Sequence, residues 1–321
     1  MKINSEDIMG DIKKSRPNVK EITIKQYITH LNKLKKNFDT DDWDFLSNPE
    51  DIMNNIKDKH FTSKRNTLNA IIVLLMALND KEEYDELIEK YQKLRDELND
   101  KYDEEQTSGK ISEKQKKNFA SMEEIQGMLK TMQKQIKDDG LKKKEQLKIK
   151  DKELLMVYTI FSMLVKYPTR NDMAGMRFIT KTAYNQLTDE DKKNNNFLVN
   201  QKGKLTFILN QYKTSKKYGE KKIEIDKDIE KILRMYIRLT NKKYGDVLFV
   251  SSRGNALTRN QISQLLLKTS KKYMNKAVST TLMRKIVVSD KFGDVKKEQA
   301  ELADIMGHSV QVQNQVYNKT E

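Results

Sequence analysis

From Thr23 onward, apolar side chains recur at helical spacing through Ile24, Tyr27, Ile28, Leu31 and Leu34. The pattern returns between Thr62 and Leu78, at Leu68, Ile71, Ile72, Leu75 and Leu78, so the N-terminal third reads as a helical bundle. Residues 81–105 interleave acids and bases around Tyr84, Leu87, Ile88, Tyr91, Leu94 and Leu98, which predicts a long, partly solvated structural helix. Periodicity then fails over 106–118 (QTSGKISEKQKKN), a stretch rich in Ser, Gly and Lys that reads as an exposed basic linker.

Beyond the linker, Ser121 followed by Glu123 and Glu124 predicts a capped helix to about Ile136. A more apolar helix over Glu145–Val165 must stop at Tyr167-Pro168, because proline cannot continue it. Residues 197–225 change character: FLV, KLTFILNQYKT, a polar turn SKKYGEK and then KKIEI predict three short antiparallel strands. Helical patterns resume over Asp228–Lys243, Thr258–Tyr273, Ser279–Lys291 and Lys296–Met306, with an apolar run VLFV at 247–250 between the first two. The expected fold is therefore mainly α with a small antiparallel β-sheet, in two domains: 1–105 helical, 106–118 linker, 119–321 mixed.

Composition narrows the chemistry. Lys and Arg total 62 against 47 Asp and Glu, a formal net charge of +15, which points to a polyanionic partner and above all to nucleic acid. The abundance of Lys, Asn and Ile also fits an AT-rich genome, so charge alone decides little. No run of eighteen apolar residues, secretory signal or lipidation motif occurs, and the expectation is a soluble intracellular protein without a membrane role. With no cysteine and three scattered histidines (His30, His60, His308), neither disulfides, thiolate nucleophiles nor a metal site is expected, and no cofactor is implied. Any chemistry falls to oxygen nucleophiles and cations.

Five residues stand out as candidates. Arg170 follows the helix broken by Pro168; Lys213 lies near the end of the long predicted strand; Arg284 sits beside a core-facing stripe of Leu282, Ile286 and Val287. Each has an ordinary explanation taken singly, since surface arginines at helix ends and stray lysines are common in so basic a chain. The C-terminal stretch LADIMGHSVQVQNQVYNK is more specific: a glycine ends a helix, His308 follows, and Tyr317 arrives nine residues after it.

That ending resembles the last signature of the tyrosine recombinase (phage integrase) family, in which Leu-Gly-His-Ser precedes a tyrosine by the same spacing; Met306-Gly307-His308-Ser309 and Tyr317 match it. The family's chain order of arginine, hairpin lysine, His-x-x-Arg, Gly-His and tyrosine is met by Arg170, Lys213, Arg284, His308 and Tyr317. Three departures occur. Thr281 stands where the family has the histidine of His-x-x-Arg; Met173 occupies the position of the usual acid, with Asp172 beside it as a candidate buttress. The chain also ends four residues after the tyrosine, whereas many relatives continue, so assembly uses other surfaces or the sequence is shortened.

The resemblance implies a core-binding domain over 1–105 that closes around double-stranded DNA, and a catalytic domain over 119–321. Arg170, Arg284 and His308 would hold the scissile phosphate, Tyr317 would form a 3′-phosphotyrosyl bond, and Lys213 would protonate the departing 5′-hydroxyl. Thr281 and Asp172 would support them. A homotetramer assembled on DNA, in cytoplasm or nucleus wherever the target lies, follows from the family, and an AT-rich virus or mobile element fits the composition. Two alternatives remain open: a type IB topoisomerase-like enzyme that relaxes DNA, and a catalytically weakened DNA-binding protein of the same fold, for which Thr281 is the main argument.

Overall fold

The structure is a computed structural model that describes residues 7–78, 83–107, 111–307 and 309–314. The chain divides into two compact units, Met1–Ser112 and Glu113–Glu321.

Among the described residues of the first unit the regular elements are helices: α1 (Ile8–Ser15), α2 (Glu21–Phe38), α3 (Pro49–Asn55), α4 (Phe61–Leu78) and α5 (Asp85–Thr107). Helix α4 lies at its centre because Thr67, Leu68 and Ala70 through Leu75 are all buried. Around it pack Leu31 and Leu34 of α2, Trp43, Leu46, Ile52 and Ile56, and the α5 face made by Leu87, Ile88, Tyr91 and Leu98. Burial of each such side chain contributes about 1.5–3 kcal/mol. Buried Tyr91 donates its hydroxyl to the Leu46 carbonyl at 2.7 Å, satisfying its polar end; α1 was not anticipated from the pattern.

The second unit starts with the single turn α6 (Glu113–Lys116), inside the predicted linker, and continues with α7 (Met122–Asp138) and α8 (Ile149–Lys166). Ser121 and Glu124 form the expected capping box, at 3.1 and 2.8 Å. Met122, Ile125, Met128, Met132 and Ile136 turn one face of α7 inward, whereas α8 is buried continuously from Leu154 to Leu164 and forms the spine of the unit.

Strand β1 (Arg177–Thr180), helices α9 (Lys181–Gln186) and α10 (Asp189–Asn194), and strands β2 (Asn196–Gln201) and β3 (Lys204–Leu209) come next. The turn α11 (Ser215–Tyr218), strand β4 (Lys221–Glu224) and helix α12 (Lys227–Leu239) follow. The sheet has the order β1-β2-β3-β4. Its antiparallel part, β2-β3-β4, is the predicted three-stranded insert, with Phe197 opposite Ile208 and Phe207 opposite Ile223. Strand β1 enlarges it and pairs with β2 in parallel, so the sheet is mixed. Both faces are covered: Leu198, Leu205, Phe207 and Leu209 join the main core, while Ile179, Phe197, Val199 and Ile208 pack with Tyr184. Two-sided burial explains why these strands read as apolar runs rather than alternations.

Three sequence-based boundaries shift. The long strand ends at Leu209, leaving Lys213 in the β3–β4 connection. The run 247–250 makes only isolated bridges, Arg177 to Val247 and Val250 to Ala256, although Leu248 and Phe249 are buried. Helix α13 (Arg259–Met274) is as expected, but the last two predicted helices are one, α14 (Thr280–Ile305). It runs through Gly293, since neither proline nor a capping residue interrupts the segment. A final turn, α15 (Val310–Val312), follows.

Candidate active site

The site is organised by the turn after α8. Pro168 ends the helix, Arg170 is exposed, and the next three residues, Asn171, Asp172 and Met173, are buried. Asn171 fastens this turn to two helix starts. Its Nδ2 donates to the Arg259 carbonyl at 2.7 Å and to Ser263 Oγ at 2.8 Å on α13, and its Oδ1 accepts the Thr280 hydroxyl at 2.6 Å on α14. The arginine before it and the arginine one turn into α14 are thereby set on one framework.

Asp172 is the buried carboxylate of the cluster, 5% exposed. Arg259 Nη2 donates to its Oδ1 at 3.3 Å, and the charges of Arg170 and Arg284 and the Arg170 backbone N–H also act on it. Burial nonetheless dominates and raises its carboxyl above the ordinary value. Arg284 is half-buried; burial and the positive charge of Arg170 lower its pKa, against the pull of Asp172. A guanidinium does not lose its proton in a protein, so this lowering expresses first the burial of a cation and second the positive charge of Arg170.

One polar atom at this point is unsatisfied. Arg284 Nη2 donates to Thr281 Oγ1 at 3.3 Å, but the buried Arg284 Nε has no hydrogen-bond partner among the described residues. A buried donor on a cation without an acceptor is costly, and an anion supplied from outside removes that cost. Thr281, expected only to support the site, thus bonds the arginine three residues later on its own helix.

Lys213 is exposed in the β3–β4 connection, and the chain just before it is tightly held. Asn196 Oδ1 accepts the backbone N–H of Asn210 and of Gln211, both at 2.8 Å, taking the place of a strand partner where β3 ends. Tyr212 closes the connection by donating to the Gly219 carbonyl at 2.9 Å.

The structure therefore brings Arg170, Asp172, Thr281 and Arg284 onto one framework and ties the Lys213 segment to it. His308 and Tyr317 lie outside the described residues. Their neighbours Gly307, at φ +69°, and Ser309, which caps α15, sit at the far end of α14. About 33 Å of helix axis separates Arg284 from Met306, at 1.5 Å per residue. Among the described residues no group of three or more histidine, aspartate or glutamate side chains is placed to hold a metal ion, and no helix is long and apolar enough to cross a membrane.

Sequence reasoning missed Asn171, Asn196, Arg259 and Thr280. A helix from Thr258 was expected, but nothing in the chain marked Arg259 at its start as a partner of Asp172.

No family model matches the chain, and no curated protein matches it. Among solved structures, it is similar to the XerH site-specific recombinase bound to difH substrate in a pre-cleavage complex. That match has a TM-score of 0.49 at 12% identity and covers 97% of this chain and 82% of the other. The post-cleavage complex of XerH with palindromic difH substrate gives 0.47 at 14% identity, over 94% and 77% of the two chains. The XerA recombinase gives a TM-score of 0.34 at 13% identity, over 98% of this chain and 94% of that one.

Proposed function

We propose that this chain is a site-specific DNA recombinase that cuts and rejoins DNA through a tyrosine. The observation that carries the reading is that the turn bearing Arg170 and the helix bearing Arg284 are tied together through Asn171 and Thr280 beside buried Asp172, with Arg284 Nε lacking an acceptor among the described residues. A phosphodiester bearing two non-bridging oxygens suits such a pair, because planar guanidinium forks bind those oxygens and keep their charge at any working pH. The C-terminal spacing of His308 and Tyr317 supplies the nucleophile and a third hydrogen bond to phosphate.

In this mechanism the Tyr317 oxygen attacks phosphorus, a P–O bond to tyrosine forms, and the bond to the 5′ oxygen breaks. The phenolic proton passes to water, and Lys213 gives a proton to the departing oxygen. The phosphotyrosyl bond retains the energy of the original linkage, so the reverse attack by a 5′-hydroxyl reseals DNA. The arginines act most strongly as charge builds on the equatorial oxygens. The helical first unit closes on duplex DNA, and recombination of two duplexes engages four copies of the chain.

Ten residues separate Gly307 from Tyr317, and fully extended they span about 33–36 Å. With α14 straight, that is about the distance along the helix axis back to Arg284, and a bend in α14 at Gly293 would shorten it.

The experiment is covalent capture. The full chain is incubated with a randomised pool of nicked duplexes, and strands that remain attached after denaturation are sequenced. A defined sequence joined to the protein through phosphate is the expected result. Retention of DNA by charge alone, with nothing surviving denaturant, would favour the non-catalytic reading suggested by Thr281.

A further inference from the structure

Two segments far apart in the chain meet at one side chain. Arg259 Nη2 donates to Asp172 Oδ1 at 3.3 Å and to the carbonyl of Gln211 at 2.9 Å. Asp172 belongs to the turn that carries Arg170; Gln211 lies two residues before Lys213. Arg259 is thus a direct link between the phosphate-facing turn and the chain that presents the lysine.

The link is built rather than incidental. Asn196, buried beneath it, makes the same connection through backbone: its Nδ2 donates to the Asp172 carbonyl at 2.7 Å and to the Gln211 carbonyl at 3.0 Å. Its Oδ1 fixes the Asn210 and Gln211 N–H groups. The backbone of Arg259 is itself anchored, since its carbonyl accepts from Asn171. Asn196 holds the two segments from inside, and Arg259 holds them from the solvent side, where its side chain is 49% exposed. A surface arginine whose task was solubility would have no reason to span a buried carboxylate and a strand-end carbonyl.

We infer that Arg259 is a positioning residue that sets Lys213 at the leaving 5′ oxygen. This rests on the recombinase chemistry proposed above. A general acid works only within hydrogen-bond reach of the atom it protonates, and a displacement of about 1 Å can cost roughly a hundredfold in rate. Lys213 has a long flexible stem and no hydrogen-bond partner among the described residues, so its placement depends on how firmly residues 210–212 are held. Loss of the Arg259 contact frees the Gln211 carbonyl on one side and loosens the lysine, without touching Arg170 or Arg284 directly.

Leaving-group chemistry separates this role from phosphate binding. The captured duplex is resynthesised with sulfur in place of the bridging 5′ oxygen at the scissile phosphate. A thiolate departs without being protonated because its conjugate acid is far stronger than an alcohol, so the general acid becomes dispensable. Single-turnover adduct formation is then measured on both duplexes for wild type, Lys213→Ala, Arg259→Ala, Arg259→Lys and Arg170→Ala. Arg259→Ala is expected to follow Lys213→Ala, slowed about a hundredfold on oxygen and within a few-fold of wild type on sulfur. Arg170→Ala should be slow on both. Arg259→Lys, able to reach one acceptor but not both, should fall between on oxygen and match wild type on sulfur; it also serves if the alanine variant does not fold.

Equal slowing of the Arg259 variants on oxygen and sulfur would overturn the inference and place the residue with the phosphate-binding arginines. Unchanged rates on both would overturn it as well. Failure of sulfur to rescue Lys213→Ala would overturn the acid role of the lysine, and a wild-type chain forming no adduct would overturn the recombinase reading itself. Each of those two results is visible separately from the behaviour of Arg259.

Discussion

Thr280 donates its hydroxyl to Asn171 Oδ1 at 2.6 Å, and both residues are buried. The bond joins the residue after Arg170 to the first turn of α14, four positions before Arg284. Since Asn171 also donates to the Arg259 carbonyl and Ser263, one amide ties together the three elements that make the site.

Replacing Asn171 by leucine leaves the Thr280 hydroxyl and the Arg259 carbonyl without this partner inside the protein. A loss of roughly 3 kcal/mol in stability is expected, with roughly 1 kcal/mol for Thr280→Val. Urea unfolding of the two single variants and the double variant checks this: losses that simply add would mean the two side chains do not act through their shared bond.

Asp172 gives a pH-dependent prediction. Its pKa is raised from 3.8 by burial, so the folded protein holds the proton more tightly than the unfolded chain, and the ionised group costs stability at neutral pH. That cost is fully present above the folded pKa and fades as pH falls toward 3.8. Asp172→Asn, which keeps an acceptor for Arg259, should therefore be at least as stable as wild type at neutral pH, with the difference closing in acid. Adduct formation should nevertheless fall, because the arginines lose their counter-charge. A variant less stable at neutral pH would mean that the arginine pairing outweighs burial.

His30 predicts the opposite sign in the first unit. Burial, then Lys59 and Lys33, lower its pKa from 6.5, while its Nδ1 lies 3.1 Å from Thr67 Oγ1. The unfolded chain therefore takes up a proton first, and stability is lost as pH falls from 6.5 to the lowered folded value. Thermal unfolding of His30→Gln should show less acid sensitivity over that window; an unchanged pH profile would mean the histidine is not the responsible group.

Gly293 lies inside α14, and a Cβ placed there meets nothing within 4 Å. Gly293→Ala should stabilise the straight helix by about 0.5–1 kcal/mol. If α14 bends for Tyr317 to reach Arg284, the same change should slow adduct formation. Stabilisation with no slowing would mean that the tyrosine arrives without a bend.

Local patterns made much of the fold legible. The apolar spacing of α2 and α4, the cap at Ser121 with Glu124, and the apolar runs of β2 and β3 are properties of adjacent residues, which is where sequence is informative. Strand β1 escaped because four residues are too few to show a period, and its partner β2 lies beyond two helices. The position of Lys213 shifted because the end of β3 is fixed by the Asn196 side chain rather than by β-propensity. Asn171 and Arg259 were illegible for the same reason: their roles are bonds to residues 48 to 109 positions away. Arg170, Asp172, Thr281 and Arg284 were read in the sequence and lie on one framework, whereas His308 and Tyr317 rest on spacing alone.

The most direct measurement is denaturing electrophoresis of the full chain and of Tyr317→Phe after incubation with the captured nicked duplex carrying a labelled strand. Wild type should give a protein–DNA band that resists denaturant and collapses to a single labelled peptide, containing Tyr317, on proteolysis. The phenylalanine variant should bind the duplex with similar affinity and give no such band. An adduct of equal intensity from the variant, or attachment at a different residue, would contradict the account.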